Sequence, residues 1–159
     1  MTEDENAMMS TPVCNSMLER WGITKSELYV KAMSNLYNSE VFIKDIFEVL
    51  SDSAGIPFEE FPNSMPKMYV VTNSQKCFGA SMILSKQVRK MLVDYIGEDI
   101  LIIPSSVHEV LAIPYNKDED PTAIEVMIKE VNATQVDPAE QLSNHPYYID
   151  SKSYTLHCF

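Results

Sequence analysis

Apolar residues recur every three or four positions through the first third of the chain, which is the spacing of amphipathic helices. One helix is predicted over Pro12–Trp21, with Gly22 just past its end. A second follows the capping-box sequence Thr24–Glu27 and continues to about Tyr37. A third helix is predicted over Glu40–Leu50, and it is apolar around much of its girth.

The pattern changes after an irregular segment, residues 51–66, that contains three prolines and one glycine. Met68–Thr72 is β-branched and aromatic, which predicts a strand. Cys77–Ala80 is predicted as the returning strand, with Gly79 at a point where the backbone bends or is approached closely. A helix is then predicted over Ser85–Ile96, with Ser85 as its cap and one apolar face.

Two apolar runs joined by a short polar segment come next, and they predict a hairpin with strands Ile100–Ile103 and His108–Ile113. Another amphipathic helix is predicted over Pro121–Asn132. Tyr147–Ile149 and Tyr154–Leu156 flank a polar turn, which predicts a terminal hairpin. The second part of the chain therefore repeats the order strand, strand, helix.

These elements predict an α+β fold, because short links between strands favour antiparallel pairing. An N-terminal helical lobe is followed by a mainly antiparallel, ββαββα-like sheet with its helices on one face. The predicted division is a disordered lead-in over residues 1–10, a helical lobe over 11–63 and an α/β lobe with the C-terminal hairpin over 64–159.

Charge narrows the range of partners. The 159 residues include 12 basic and 23 acidic side chains, for a net charge of −11. A surface that negative repels nucleic-acid phosphates and anionic membranes, so neither is expected as a partner. The small basic cluster at Lys86, Arg89 and Lys90 has helical spacing and is read as an exposed helix face.

Cysteine usage and hydropathy predict a cytoplasmic location. Cys14, Cys77 and Cys158 are far apart in the sequence and are read as reduced thiols. No stretch approaches the roughly 20 apolar residues that cross a bilayer. The first residues are acidic, whereas the start of a signal peptide is basic.

The densest group of potentially reactive side chains lies at Ser105, Ser106, His108 and Glu109. These are the residue types of a hydrolase, but His108 and Glu109 would point to opposite faces of the predicted strand. Ser106 and His108 can share a face. The structural alternative is that the serines bond to the turn backbone while His108 ties its strand to a neighbour.

Cys77 is a second candidate nucleophile, with His108 as its base and Lys76 nearby to favour the thiolate. The alternative is a buried free cysteine without chemistry. No metal site is predicted, because the histidines and cysteines lack ligand spacing. No cofactor is expected either, since four glycines leave none for a phosphate-binding loop.

Four segments occur in a recognisable order: VCNSMLERWGITKSELYVKAMSN, MYVVTNSQKCFGASMIL, LIIPSSVHEVLAIP and EVNATQVDPAEQLSNHPYYID. From about Pro12 onward the chain resembles an uncharacterised bacterial family, domain of unknown function 5688. The TN…FGA and PSSVHEV segments are the most specific parts. The resemblance implies a cytosolic protein of anaerobic, often gut-dwelling bacteria, and the C-terminal half of longer members. It implies no activity and no catalytic residues.

The sequence thus favours a non-enzymatic cytosolic binding or regulatory domain that acts through protein contacts. The partner expected is another protein, or the N-terminal half of a longer family member. Ten methionines and an apolar third helix agree with this hypothesis, because such surfaces adapt to partners. The alternative is a small hydrolase that uses Ser106 or Cys77 with His108.

Overall fold

The computed structural model describes residues 10–55, 57 and 66–159. The chain forms two compact units, one ending at Tyr37 and one beginning at Asn38. Residues 1–9 of the predicted lead-in, and the predicted boundary between 63 and 64, lie outside the described residues. The second unit begins before that predicted boundary because the segment that follows Asn38 pairs with the sheet.

The first unit contains helices α1 (Asn15–Trp21) and α2 (Lys25–Tyr37), which confirms both predicted helices. Helix α1 ends at Gly22, whose φ of 67° is the left-handed conformation that glycine adopts without strain. The capping box at the start of α2 also forms. The Glu27 N–H donates to Thr24 Oγ1, and the Glu27 carboxylate accepts from the Thr24 N–H.

The second unit is built on one six-stranded sheet in which every neighbouring pair is antiparallel. The spatial order is β1-β2-β4-β3-β5-β6. The α+β class and the antiparallel sheet are therefore confirmed. The strands are β1 (Val41–Asp45), β2 (Tyr69–Asn73), β3 (Ile100–Pro104), β4 (Val110–Pro114), β5 (Tyr147–Ile149) and β6 (Leu156–Cys158).

The predicted third helix is wrong in its first half, because β1 occupies that segment and pairs along its length with β2. Its residues include β-branched Val41 and Ile43, which suit a strand better than a helix. Helix α3 (Ile46–Ala54) begins only after Asp45. The Asp45 carboxylate accepts from the Phe47 N–H at 2.8 Å and so caps α3.

The predicted strand at Cys77–Ala80 is also wrong. The chain makes a tight turn in which Lys76 and Phe78 have φ values of 52° and 51°, and a 3₁₀ helix follows at Gly79–Leu84. Two left-handed residues so close together break the regular extension that a strand needs. The strand that pairs with β2 on this side is β1 instead.

Helix α5 (Thr122–Thr134) packs on one face of the sheet. Its Ile128 belongs to a buried cluster with Leu101 and Ile103 of β3 and with Tyr115. Leu101 and Ile103 are two residues apart, so their side chains project from the same face of β3. This cluster is the core beneath α5.

Helix α4 (Lys86–Ile96) packs on the opposite face. The ring of its Tyr95 meets Tyr69 of β2 edge-to-face, with the centroids 5.2 Å apart. Tyr69 lies opposite Ala112, and Ala112 lies opposite Ile102, so this is the other face of β3. The prediction that the helices share one face is therefore wrong. Within the described residues, no helix is long and apolar enough to span a membrane.

Candidate functional site

Two segments far apart in the sequence are joined by hydrogen bonds, and we call this junction the clasp. It links the turn after β2 with the loop at residues 105–109, between β3 and β4. Thr72 Oγ1 donates to the His108 carbonyl at 2.7 Å, and the Phe78 N–H donates to His108 Nδ1 at 3.1 Å. The Ala80 N–H donates to the Val107 carbonyl at 3.3 Å. These bonds fix the 3₁₀ helix beside the loop.

Gly79 lies where the two segments cross. A Cβ atom at this position would come within 2.0 Å of Thr72 Oγ1, 2.6 Å of the Asn73 nitrogen and 2.7 Å of the His108 oxygen. Two of those atoms belong to the backbone and cannot move aside without distorting the strand or the loop. The expected close approach of the backbone at Gly79 is confirmed.

The turn before the clasp is held by one side chain. The Asn73 amide nitrogen donates to the Cys77 carbonyl at 2.8 Å, and its amide oxygen accepts from the Cys77 N–H at 3.2 Å. This pair of bonds closes the segment that contains the left-handed Lys76 and Phe78. Asn73 thus supports the strained turn that places Phe78 against His108.

The His108 imidazole is engaged on several sides. Its Nδ1 accepts from the Phe78 N–H, so the ring hydrogen is on Nε2 in the neutral form. Nε2 lies 3.6 Å from Glu140 Oε1, and the ring packs against the Phe78 ring at a centroid distance of 5.4 Å. The Val107 N–H, one residue earlier, donates to the Glu140 carbonyl at 2.8 Å. The two contacts with Glu140, from the His108 ring and from the Val107 N–H, join the clasp to the segment around Glu140.

The predicted candidate Ser106 bonds within its own loop. Ser106 Oγ accepts from the His108 N–H at 3.0 Å, and the Ser106 N–H donates to the Glu109 carbonyl at 3.2 Å. Strand β4 starts at Val110 rather than at His108, so the prediction that the second strand includes His108 and Glu109 is wrong. Their side chains therefore do not alternate across a strand. Ser105 lies beside them and is half-buried.

An apolar pocket of about 400 Å³ lies next to the clasp, on the sheet face that carries the 3₁₀ helix. The 3₁₀ helix and the 105–109 loop form its walls, and β3, β4, β5 and β6 form its floor. Its size falls in the range of small-molecule and side-chain binding sites. Its lining residues are Phe78, Ala80, Ser81, Ile83, Leu84, Ile102, Pro104, Val107, Val110, Leu142, Tyr147 and Leu156.

The few hydroxyl groups of the pocket already have partners. Ser81 Oγ donates to the Phe78 carbonyl at 2.9 Å, and the Tyr147 hydroxyl donates to Ser143 Oγ at 3.0 Å. Among the described residues that line the pocket, none is Ser105, Ser106, His108, Glu109 or Cys77. The pocket is therefore suited to an apolar group, and the candidate reactive side chains lie outside it.

A cationic side chain joins three loops at another end of the sheet. Lys117 Nζ lies 2.8 Å from an Asp99 oxygen and 2.9 Å from an Asp150 oxygen. The hydrogen bonds that Lys117 donates hold the pKa of both carboxyl groups below their usual range, and the same bonds to Asp150 and Asp99 raise the pKa of the Lys117 ammonium. In the described part of the chain, no three His, Cys, Asp or Glu residues are placed to hold a metal ion.

Comparison with known families assigns the chain. The sequence profile of a family of unknown function, DUF5688, matches residues 1–151. The chain belongs to the DUF5688 family. No match was found among curated proteins or among solved structures. The further expectation, that this is the C-terminal half of longer DUF5688 members, stays a prediction.

The TN…FGA and PSSVHEV segments of this DUF5688 protein are the two sides of the clasp. Sequence reasoning identified both segments but not the contact between them. It missed the bonds of Thr72 and Asn73, the place of Phe78, and the contribution of Glu140 and Leu142. One available signal was the crowding of polar residues and glycine in TNSQKCFGA, which is more than a simple hairpin turn needs. No comparable local signal marked Glu140 or Leu142.

Proposed function

We propose that this chain is a non-enzymatic binding domain of the bacterial cytosol, which acts by holding an apolar side chain of a partner protein in the pocket beside the clasp. The observation that carries the proposal is the lining of the pocket. It is about 400 Å³ in volume and almost entirely apolar. Such a pocket gains affinity by removing apolar surface from water.

The rim of the pocket favours a protein over a small apolar molecule. Phe78, Leu84 and Leu142 line the pocket and yet remain 45%, 54% and 45% exposed. A small ligand inside the pocket would leave much of this rim in water. A protein surface that also covers the rim would bury it, and apolar side chains in central pockets are the usual hot spots of protein interfaces.

The contacts of the candidate reactive residues support a binding role rather than hydrolysis. A base must be within hydrogen-bond reach of the nucleophile that it activates. The Ser106 hydroxyl accepts from the His108 backbone, and His108 Nδ1 accepts from the Phe78 backbone. These side chains therefore hold the two segments of the clasp together, and the clasp forms one wall of the pocket.

The proposal is tested with peptides selected for binding to the full chain from a random library about ten residues long, the length of one strand with its flanks. A synthetic copy of the best peptide is then titrated against wild type, Leu142→Gln and Met127→Gln by fluorescence anisotropy. Leu142 lines the pocket, whereas Met127 lies on α5 with a similar exposure, 42% against 45%. Gln keeps the size of either side chain but is polar.

We expect Leu142→Gln to weaken peptide binding about tenfold, the equivalent of one lost apolar contact, and Met127→Gln to change it less than about twofold. The same peptide should lose binding when its apolar anchor residue is replaced by Ser. The proposal fails if no peptide with an essential apolar residue is enriched. It also fails if the two variants weaken binding equally.

A further inference from the structure

Strand β6 forms an open edge of the sheet, and its hydrogen-bond pattern shows which backbone groups face outward. The Asp150 N–H donates to the Thr155 carbonyl at 3.0 Å, so these two residues form a hydrogen-bonded pair. Hydrogen-bonded and non-hydrogen-bonded pairs alternate along an antiparallel ladder. Leu156 opposite Ile149, and Cys158 opposite Tyr147, are therefore non-hydrogen-bonded pairs.

The N–H and C=O groups of Leu156 and Cys158 consequently point away from β5. In the described part of the chain no strand lies beyond β6 in the sheet order. Cys158 is exposed and Leu156 is half-buried, so this row of donors and acceptors is open along the edge. Such a row pairs readily with any extended segment that reaches it.

The side chains of these two residues lie on the pocket face. Leu156 lines the pocket itself. Cys158 lies opposite Tyr147, and Tyr147 lies opposite Ile102, and these last two also line the pocket. The same three-residue strand thus presents open backbone groups at the sheet edge and lines part of the apolar pocket.

From this coincidence we infer that the partner binds in extended conformation, as a seventh strand added to β6, and inserts one apolar side chain into the pocket. This inference rests on the function proposed above and specifies its partner. A strand added to β6 lies about 4.8 Å from it, and every second side chain then projects from the pocket face. Backbone hydrogen bonds supply affinity in this mode, and the pocket supplies selectivity.

The chemistry of the two edges favours β6. The other edge strand, β1, carries Lys44 near its end, paired with Asp52 and Glu48 of α3. A charged lysine on an edge strand is a common device against pairing. Strand β6 consists of Leu156, His157 and Cys158 and carries no lysine. The net charge of −11 favours a partner segment with neutral or basic flanks.

A second copy of this chain fits the edge less well. If β6 paired with β6 of a second copy, the apolar side chain offered to each pocket would be Leu156 of the other copy. That side chain already lines the pocket of its own chain. Both pockets would remain unfilled. The association would also bring together two chains that each carry a net charge of −11.

N-methylation of the selected peptide, one backbone amide at a time, tests the strand geometry. An added strand uses the N–H of alternate residues, so we expect losses of about tenfold or more at every second position and less than about twofold at those between. On the protein, hydrogen exchange of the Leu156 and Cys158 amides should slow when the peptide binds. The His157 amide, which faces β5, serves as the internal control and should not change.

The outcomes separate the two proposals. The added strand is overturned, and the pocket proposal stands, if N-methylation has no alternating effect while Leu142→Gln still weakens binding. In the free protein, the Leu156 and Cys158 amides are also followed by hydrogen exchange. If their protection from exchange rises with protein concentration, β6 pairs with a second copy of the chain and the added-strand proposal is overturned. If no peptide needs an apolar anchor, both proposals fail together.

Discussion

His108 and Phe78, 30 positions apart in the sequence, are joined at two levels: the Phe78 N–H donates to the imidazole Nδ1 at 3.1 Å, and the two rings pack at 5.4 Å. The backbone bond determines which imidazole nitrogen carries the hydrogen. The ring contact places Phe78 at the pocket rim. One histidine therefore connects the loop between β3 and β4 with the wall of the proposed binding site.

His108→Ala should destabilise the fold by about 0.5–1.5 kcal/mol, because it removes the acceptor of the partly exposed Phe78 N–H. At this chain length the melting temperature should fall by several degrees. His108→Asn should restore part of the loss, since its amide oxygen can accept in place of Nδ1. His145→Ala is the matched control. The His145 ring is largely exposed beside Glu125, so its loss should matter little. Equal melting temperatures for wild type and His108→Ala would contradict the clasp.

Gly79→Ala should destabilise the protein by at least about 1–3 kcal/mol, the usual cost of forcing extra volume into a packed site. The comparison variant is Gly97→Ala, which has open space around it and a φ of 90°. Its cost of about 1–2 kcal/mol comes from the backbone conformation alone. Urea denaturation of both variants measures the difference. Removing the Thr72 side chain as well should not rescue Gly79→Ala, because the Asn73 and His108 backbone atoms still obstruct the methyl group. Such a rescue would contradict the crossing geometry.

Acid should lower the stability of the second unit, partly through the ion pairs of Lys117. The folded-state pKa values of Asp99 and Asp150 are lowered, mainly by hydrogen bonds from Lys117. Their stabilising contribution is therefore full above the unfolded pKa near 4, and it is lost as the pH falls through the folded pKa. Urea midpoints at about pH 6 and about pH 3 should differ less in Lys117→Met than in wild type.

Lys152→Met is the control for that acid experiment, because it removes the same charge from the neighbouring turn. Its dependence on pH should resemble that of wild type. If Lys152→Met and Lys117→Met change the acid sensitivity equally, the effect is one of net charge and not of the ion pairs at Asp99 and Asp150.

Thr24→Ala should shorten or weaken helix α2, because Thr24 Oγ1 accepts from the Glu27 N–H at 3.2 Å. Losing such a cap costs about 1 kcal/mol of helix stability. Helical content from far-ultraviolet circular dichroism should fall. Ser26→Ala, in the same turn, should leave it unchanged or raise it, since Ala favours helix. The opposite ranking of the two variants would argue against the capping box.

Much of the fold follows from local pattern. The predictions of helices α1, α2, α4 and α5 and of strands β3 and β5 agree with the structure, because their periodicity and their stop signals agree. The predicted last strand, Tyr154–Leu156, shares only Leu156 with β6, because Tyr154 has a left-handed φ of 58°. One failure came where a single apolar run contains two elements. Val41–Ala54 contains both β1 and α3, and only the Asp45 cap separates them. In a run that changes from strand to helix, the apolar residues follow neither the two-residue spacing of a strand nor the 3.6-residue spacing of a helix throughout.

The candidate site was harder to predict, because its contacts join segments that are distant in sequence. The sequence indicated that Gly79 is approached closely, but not that Thr72 and His108 are the neighbours. The choice of face for α4 and α5 also depends on tertiary packing and not on helix pattern. The pocket is assembled from segments as far apart in the sequence as Phe78 and Leu156, so no local motif predicts it.

The most direct test of the binding proposal locates the peptide by nuclear Overhauser effects to methyl groups of the labelled protein. We expect the apolar anchor of the selected peptide to contact the methyl groups of Ile83, Leu142 and Leu156, which line the pocket. Contacts to Ile124 and Val126 of α5 instead would place the peptide elsewhere and contradict the proposed function.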